Sequence, residues 1–184
     1  QPELFPSEGK ITMGEVVQLL NELTNGEAVI VTDVGQHQMV ACRYAEQTLT
    51  RSNITSGGLG TMGFALPAAI GAKFGAPERT VVAIMGDGGA QMNIQELGTI
   101  MQFQPNVKIL ILNNSFLGMV RQWQELFHEK RYSFTDIQSP DFVQVAKGYG
   151  IKGNKVSERE ALRTSLIEML EYPNSYLLEV AVRM

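Results

Sequence analysis

A single cysteine, Cys42, stands among 184 residues. No internal disulfide can form, and a lone thiol suits a reducing compartment. Cationic side chains are also scarce: 15 Lys and Arg against 19 Asp and Glu leave a net charge of −4, with no basic patch. That balance argues against nucleic acid or an anionic membrane surface as a partner. No apolar run approaches the roughly 18 residues that suggest a membrane span. The first residues show no charged-then-apolar leader, so a cytoplasmic protein is expected. Internal repeats and low-complexity tracts are lacking too. The length is that of one ordinary domain, able to bury a substantial core.

What is present is concentrated at the ends of two apolar runs. Thr80-Val81-Val82-Ala83-Ile84-Met85 leads into Gly86-Asp87-Gly88, and Val107-Lys108-Ile109-Leu110-Ile111-Leu112 leads into Asn113-Asn114. Both runs are short, rich in β-branched residues and bounded by turn formers, as buried parallel strands are. An acid and an amide at the tips of two such strands can face one site. A carboxylate and an asparagine carbonyl are hard oxygen ligands, suited to magnesium holding a phosphorylated molecule.

The rest of the chain alternates strand and helix. Met13, Val16, Val17, Leu20 and Leu23 fall at helical spacing and predict an amphipathic helix over 12–24. A strand over 28–32 leads through Asp33-Val34-Gly35 into a helix reaching 45. Asn53-Ile54-Thr55 is a short strand, followed by the turn Ser56-Gly57-Gly58-Leu59-Gly60 and a small-residue helix over 61–74. Helices over 93–103 and 118–127 follow the Asp87 and Asn114 strands. Then come a helix over 141–149, a strand over 151–153, a helix over 157–170 and a final strand from Tyr176. This pattern predicts a doubly wound α/β fold, with a mainly parallel sheet and helices on both faces. Ligands of such folds sit at the carboxyl ends of the strands, where Gly35, Asp87 and Asn114 all fall. The Pro-interrupted opening reads as a linker over residues 1–10 from a preceding domain. Residues 11–184 read as one domain of a larger multi-domain subunit.

Gly58-Leu59-Gly60-Thr61-Met62-Gly63 also fits GxGxxG, the dinucleotide fingerprint, with Asp87 placed to hold a ribose hydroxyl. The strand before it is short and polar, and a dinucleotide-binding module leaves Asn113-Asn114 and Gly35-Gln36-His37-Gln38 without a role. Glycines serving only helix–sheet packing are the other reading of this turn.

The pairing of Gly-Asp-Gly with Asn-Asn resembles the signature of thiamine-diphosphate enzymes. Further strings narrow the resemblance: Val34-Gly35-Gln36-His37-Gln38-Met39, Ile54-Thr55-Ser56-Gly57-Gly58-Leu59-Gly60-Thr61-Met62-Gly63, Gly118-Met119-Val120-Arg121-Gln122-Trp123-Gln124 and Tyr132-Ser133. Together they are similar to the third, diphosphate-binding domain of the acetolactate synthase (acetohydroxyacid synthase) catalytic subunit, over nearly the whole chain.

The resemblance implies a set of roles. Asp87, the Asn114 side-chain oxygen and the Phe116 backbone carbonyl would bind Mg²⁺. Gln36 and His37, following Gly35, would hold the diphosphate with the backbone near Gly88-Gly89 and Leu117-Gly118. The Gly60 carbonyl and the Met62 amide would fix the aminopyrimidine, and the Met62 side chain would wedge beneath the bend between the two rings. A polarizable methionine fills such irregular space well. Met119 would line the cofactor pocket, and Trp123 would border the substrate channel. No catalytic residue is expected in this chain, because the family's glutamate lies in the first domain of a partner subunit.

The family's enzyme decarboxylates pyruvate and joins the two-carbon unit to a second pyruvate or to 2-oxobutyrate, in branched-chain amino-acid biosynthesis. It implies FAD in the full-length enzyme, a homodimer or tetramer, and in some members a small regulatory subunit. A sister enzyme such as glyoxylate carboligase or a 2-oxo acid decarboxylase is the alternative. One departure from the pattern stands out: Gly88-Gly89-Ala90 replaces the small-then-serine sequence common after the aspartate.

Overall fold

The structure, a computed structural model, describes residues 4–6 and 9–183, so the expected linker falls partly outside the described residues. Six strands, β1 (Val29–Thr32), β2 (Asn53–Thr55), β3 (Val81–Gly86), β4 (Val107–Asn113), β5 (Lys152–Val156) and β6 (Tyr176–Ala181), form one sheet. Every pairing is parallel, in the order β2-β1-β3-β4-β6-β5. A wholly parallel sheet needs cover on both faces, and β1, β3 and β4 are buried along almost their whole length.

On one face lie α1 (Met13–Thr24), α2 (Gln36–Tyr44) and α8 (Arg159–Glu171), packing Val16, Leu20, Ala41, Leu162 and Leu166 against Ile84 and Leu110. On the other lie α3 (Ala65–Gly75), α4 (Asp87–Met92), α5 (Leu97–Phe103) and α7 (Phe142–Gly148), whose Leu66, Ala69, Leu97 and Phe142 meet Val31, Ala83 and Ile109. Neighbouring residues of each strand thus serve opposite layers, as the two-residue period of a strand requires. The remaining helix, α6 (Gly118–Phe127), has no buried residue.

Helix ends follow local chemistry. Thr12 caps α1 by accepting the Glu15 amide at 3.0 Å, and the Glu15 carboxylate accepts the Thr12 amide in return. Three boundaries differ from the sequence expectation. Helix α3 starts at Ala65 rather than 61, because the preceding turn satisfies itself: the Gly60 amide donates to the Ser56 carbonyl and the Thr61 amide to the Ser56 hydroxyl. The helix expected over 93–103 is broken, with α4 beginning at Asp87 itself, an interruption at Asn93, and a 3-10 turn (Ile94–Glu96) before α5. Strand β5 runs to Val156 rather than 153, since β6 offers it partners along its full length.

The order of the strands creates the crevice. The chain leaves β1 through α2 on one face, reaches β2 at the edge, then returns through α3 on the other face to place β3 beside β1. The connections after β1 and β3 therefore depart to opposite faces, and the gap between them opens at the carboxyl ends of the strands.

Candidate cofactor site

That gap is a cleft of about 660 Å³, measured out to its open mouth. Its walls come from the segments after β1, β2, β3 and β4. It gathers Gly35, Gln36, His37, Gly60, Met62, Gly88, Gly89, Leu117, Gly118 and Met119, together with Asp87, Asn114 and Phe116. These thirteen positions stand far apart in sequence and line one surface. Trp123 is not among them. It lies on α6, 59% exposed, with its ring 4.9 Å from that of Phe127.

Helices α2 and α6 both begin at this cleft without a side-chain cap. Gly35 precedes α2 and Leu117 precedes α6, and neither has a side chain that can accept a bond from the first turn. The free N–H groups and the positive end of each helix dipole suit an anion. Glycine at 118 allows the two helix starts to approach: a Cβ there would fall 2.2 Å from Gln36 Oε1. Gln36 in turn accepts the Asn114 side-chain amide at 3.4 Å and donates to Gln122 Oε1 at 3.2 Å.

Asp87 is buried, and burial raises its pKa above the usual carboxylate range. The Ser139 hydroxyl, 3.2 Å from Oδ2, and the amides of Asp87, Asn114 and Ser115 oppose that shift. Asn114 accepts the Phe116 amide on Oδ1 at 3.1 Å, which leaves a second lone pair on that oxygen. The segment carrying Phe116 is held by an antiparallel bridge to Asp136, flanked by bonds from the Leu117 amide to the Thr135 carbonyl and from the Ile137 amide to the Ser115 carbonyl. The donors available at the cleft are thus one carboxylate, one amide oxygen and one backbone carbonyl. This set fits a hard divalent cation such as Mg²⁺. Among the described residues no cluster of three His, Cys, Asp or Glu exists that could hold a metal unaided, so a cation here would take further oxygens from a bound anion and water.

His37 is buried with its Nε2 unpartnered, and desolvation lowers its pKa to about 4. Glycine on both sides makes space for the ring: a Cβ at Gly35 would stand 2.9 Å from its Cε1, and one at Gly86 3.0 Å from its Nδ1. A neutral imidazole with one free nitrogen, at the edge of an anion-seeking cleft, is ready to hydrogen-bond a ligand. Across the cleft, Met62 Cε lies 3.6 Å from the Cβ position of Gly88, so methionine and glycine pack as a complementary pair.

Sequence reasoning missed Asp33, Ser139 and Arg121. Asp33 directly follows β1, fully buried, and binds the first turn of α3, with Oδ1 accepting the Ala65 amide at 3.3 Å. A Cβ at Gly89 would stand 1.6 Å from its Oδ2, so in this packing the carboxylate occupies the space that the more usual serine would need. The only signal was its position at a strand end, which any turn aspartate shares. Arg121 covers the rings of Phe116 at 4.3 Å and Tyr132 at 4.0 Å, and pairs with Asp136 at 3.4 Å. It ties α6 to the segment that bridges Phe116.

Comparison with known proteins agrees with this geometry. Residues 33–180 match the family described as thiamine pyrophosphate enzyme, C-terminal TPP binding domain. The chain is 45% identical over 180 residues to the acetolactate synthase large subunit of Parasynechococcus marenigrum, covering 97% of this chain and 29% of that protein. It is 49% identical over 163 residues to the isozyme 3 large subunit of Escherichia coli, covering 88% and 28%. It thus spans under a third of the length of these curated relatives. Among solved structures, the thiamine diphosphate-dependent 4-hydroxybenzoylformate decarboxylase of Rhodococcus jostii superposes with a TM-score of 0.89 at 27% identity, over 97% of this chain and 34% of that one. The parallel sheet, the crevice at its reversal and the match over most of the chain have one reading: this chain belongs to the thiamine pyrophosphate enzymes, as their C-terminal TPP-binding domain.

Proposed function

We propose that this chain is the diphosphate- and Mg²⁺-binding domain of an acetolactate synthase large subunit. The observation that carries the binding reading is the convergence, in one cleft, of two uncapped helix starts with an Asp, Asn and carbonyl oxygen set. The 45–49% identity to synthase subunits, against 27% to the decarboxylase, supports the synthase over the sister enzymes.

In this reading Asp87, Asn114 Oδ1 and the Phe116 carbonyl hold the metal. The first turns of α2 and α6, with Gln36 and His37, hold the diphosphate. His37 stays neutral at pH 7, so it contributes a directed hydrogen bond rather than a charge. Gly60 and Met62 would hold the aminopyrimidine, with the Met62 side chain and Met119 supplying apolar wall against the cofactor. Bound thiamine diphosphate supplies the electron sink that 2-oxo acid decarboxylation needs. The protein's part is to orient that cofactor and keep its reactive carbon within reach of substrate. Trp123 and the exposed apolar side of α6 border the path to that carbon.

The parent enzyme joins pyruvate to a second pyruvate or to 2-oxobutyrate. It carries FAD through other domains, works as a homodimer or tetramer, and is open to a regulatory small subunit. The proton-transfer glutamate comes from a partner, so the 184-residue domain alone has no turnover. Product analysis of the full-length subunit with thiamine diphosphate, Mg²⁺, FAD and pyruvate tests the proposal. Acetolactate is the expected main product. Free acetaldehyde, or turnover only with glyoxylate, would assign the chain to a sister enzyme instead.

A further inference from the structure

We infer that Glu179 and Asn113 act together as a positioning pair that sets the metal-binding turn; the inference rests on the Mg²⁺ reading of the cleft. Glu179 sits on β6 opposite Ile111 of β4, its side chain 1% exposed. Its Oε1 accepts both Lys155 Nζ and Asn113 Nδ2, each at 2.8 Å, while Oε2 has no partner. A carboxylate buried beside a half-exposed lysine is a poor source of stability, because desolvation offsets the attraction and an apolar side chain would serve packing as well. The arrangement does something else. It orients the Asn113 amide so that Oδ1 faces forward and accepts the Ser115 amide at 2.9 Å.

That bond closes a side-chain turn around Asn114. Ser115 adopts φ +62, a left-handed conformation that a non-glycine residue holds only when its surroundings impose it. The Asn113 carbonyl is pinned from the other side by the Val182 amide at 2.9 Å. With residues 113 and 115 both fixed, Asn114 and Phe116 are held at the wall of the cleft, and the amides of Asn114 and Ser115 face Asp87. Glu179 therefore acts on the turn that carries Asn114 and Phe116 through Asn113, without itself lining the cleft.

The test is calorimetric titration of thiamine diphosphate into the full-length enzyme at stepped Mg²⁺ concentrations. Glu179→Leu should raise the Mg²⁺ needed for half-maximal binding about tenfold or more, the usual effect of losing a group that orients a metal ligand. Melting temperature, and cofactor affinity at saturating Mg²⁺, should stay near wild type. Glu179→Gln keeps an oxygen for Asn113 and should stay within about threefold of wild type, so a loss confined to Glu179→Leu, which fills similar space and melts like wild type, follows the missing acceptor. Asn113→Ser retains a hydroxyl for the Ser115 amide but loses Glu179, and should match Glu179→Leu; it decides the matter if the leucine variant does not fold. Wild-type Mg²⁺ dependence in a folded Glu179→Leu or Asn113→Ser enzyme would overturn the inference alone. Cofactor binding to the wild type without any Mg²⁺ dependence would refute the metal reading, and this inference with it.

Discussion

Replacing Gly63 by alanine should loosen the domain and the cofactor cradle together. Gly63 lies between Met62 and α3 with φ +85, where an L side chain is strained by roughly 1–2 kcal/mol. The new Cβ would also stand 2.9 Å from Asn93 Nδ2 and 3.0 Å from Met92 Cβ. The Met92 atom is the stem of its side chain and cannot rotate away. Asn93 is held by its own bonds, donating to the Gly63 carbonyl at 2.7 Å and accepting from Gln95 at 2.9 Å. Displacing it forfeits a hydrogen bond of about 1 kcal/mol. The sum is about 2–3 kcal/mol, or a fall in Tm of roughly 4–12 °C for a domain of this size. Because Met62 is the adjacent residue, thiamine diphosphate affinity should fall in the same variant.

Urea or thermal melts of Gly63→Ala beside Gly71→Ala provide the assay. Gly71 lies exposed in the middle of α3, with nothing within 4 Å of its Cβ position. The control should be neutral or stabilised by about 0.5–1 kcal/mol. A Gly63→Ala protein as stable as wild type, with the control behaving as stated, would refute the reasoning.

Other expectations follow from the same geometry. Asp87→Ala should abolish Mg²⁺-dependent cofactor binding, since the only carboxylate in the proposed ligand set is lost; retained affinity in calorimetry would remove the metal from this position. His37 has a folded pKa of about 4 against an unfolded value near 6.5. Between those values the unfolded chain binds a proton that the native state refuses, so stability should fall as pH drops through the window, by roughly 3 kcal/mol in all. Denaturation midpoints of wild type and His37→Gln across pH 4 to 7 should converge in shape only if this histidine is not the cause. In the proposed full-length synthase, Trp123→Leu should leave cofactor affinity nearly unchanged and raise the KM for the second 2-oxo acid; an unaltered KM would take Trp123 off the substrate path.

Much of this was legible in the sequence, for a physical reason. Strands β3 and β4 are buried on both sides, so Val81–Met85 is apolar throughout and Val107–Leu112 is apolar but for Lys108, whose ammonium reaches the Tyr172 and Asn174 carbonyls, and such runs announce themselves. A parallel sheet then places whatever follows each run at one edge, which is why Asp87 and Asn114 could be assigned to one site before any fold was known. The motif strings added Gly35, Gln36, His37, Gly60 and Met62, because ligand-facing turns need particular residues at fixed offsets.

Tertiary structure alone decided the rest. The apolar stripe of α6, with Val120, Trp123 and Phe127, has the period of a core-facing helix, yet these residues stand half-exposed or more because α6 lies outside the layers that cover the sheet. The sequence shows only a short strand over 151–153, and β5 continues through polar residues to Val156 because β6 pairs with it over that length. Asp33 directly follows β1 and Glu179 lies within β6, and each is a single acid indistinguishable in sequence from a solvated one. Only packing shows that one lies against Gly89 and the first turn of α3, and that the other grips Asn113 from a strand 66 residues away. A pattern along the chain reports which face a residue turns toward, whereas these contacts depend on which segments the strand order brings side by side.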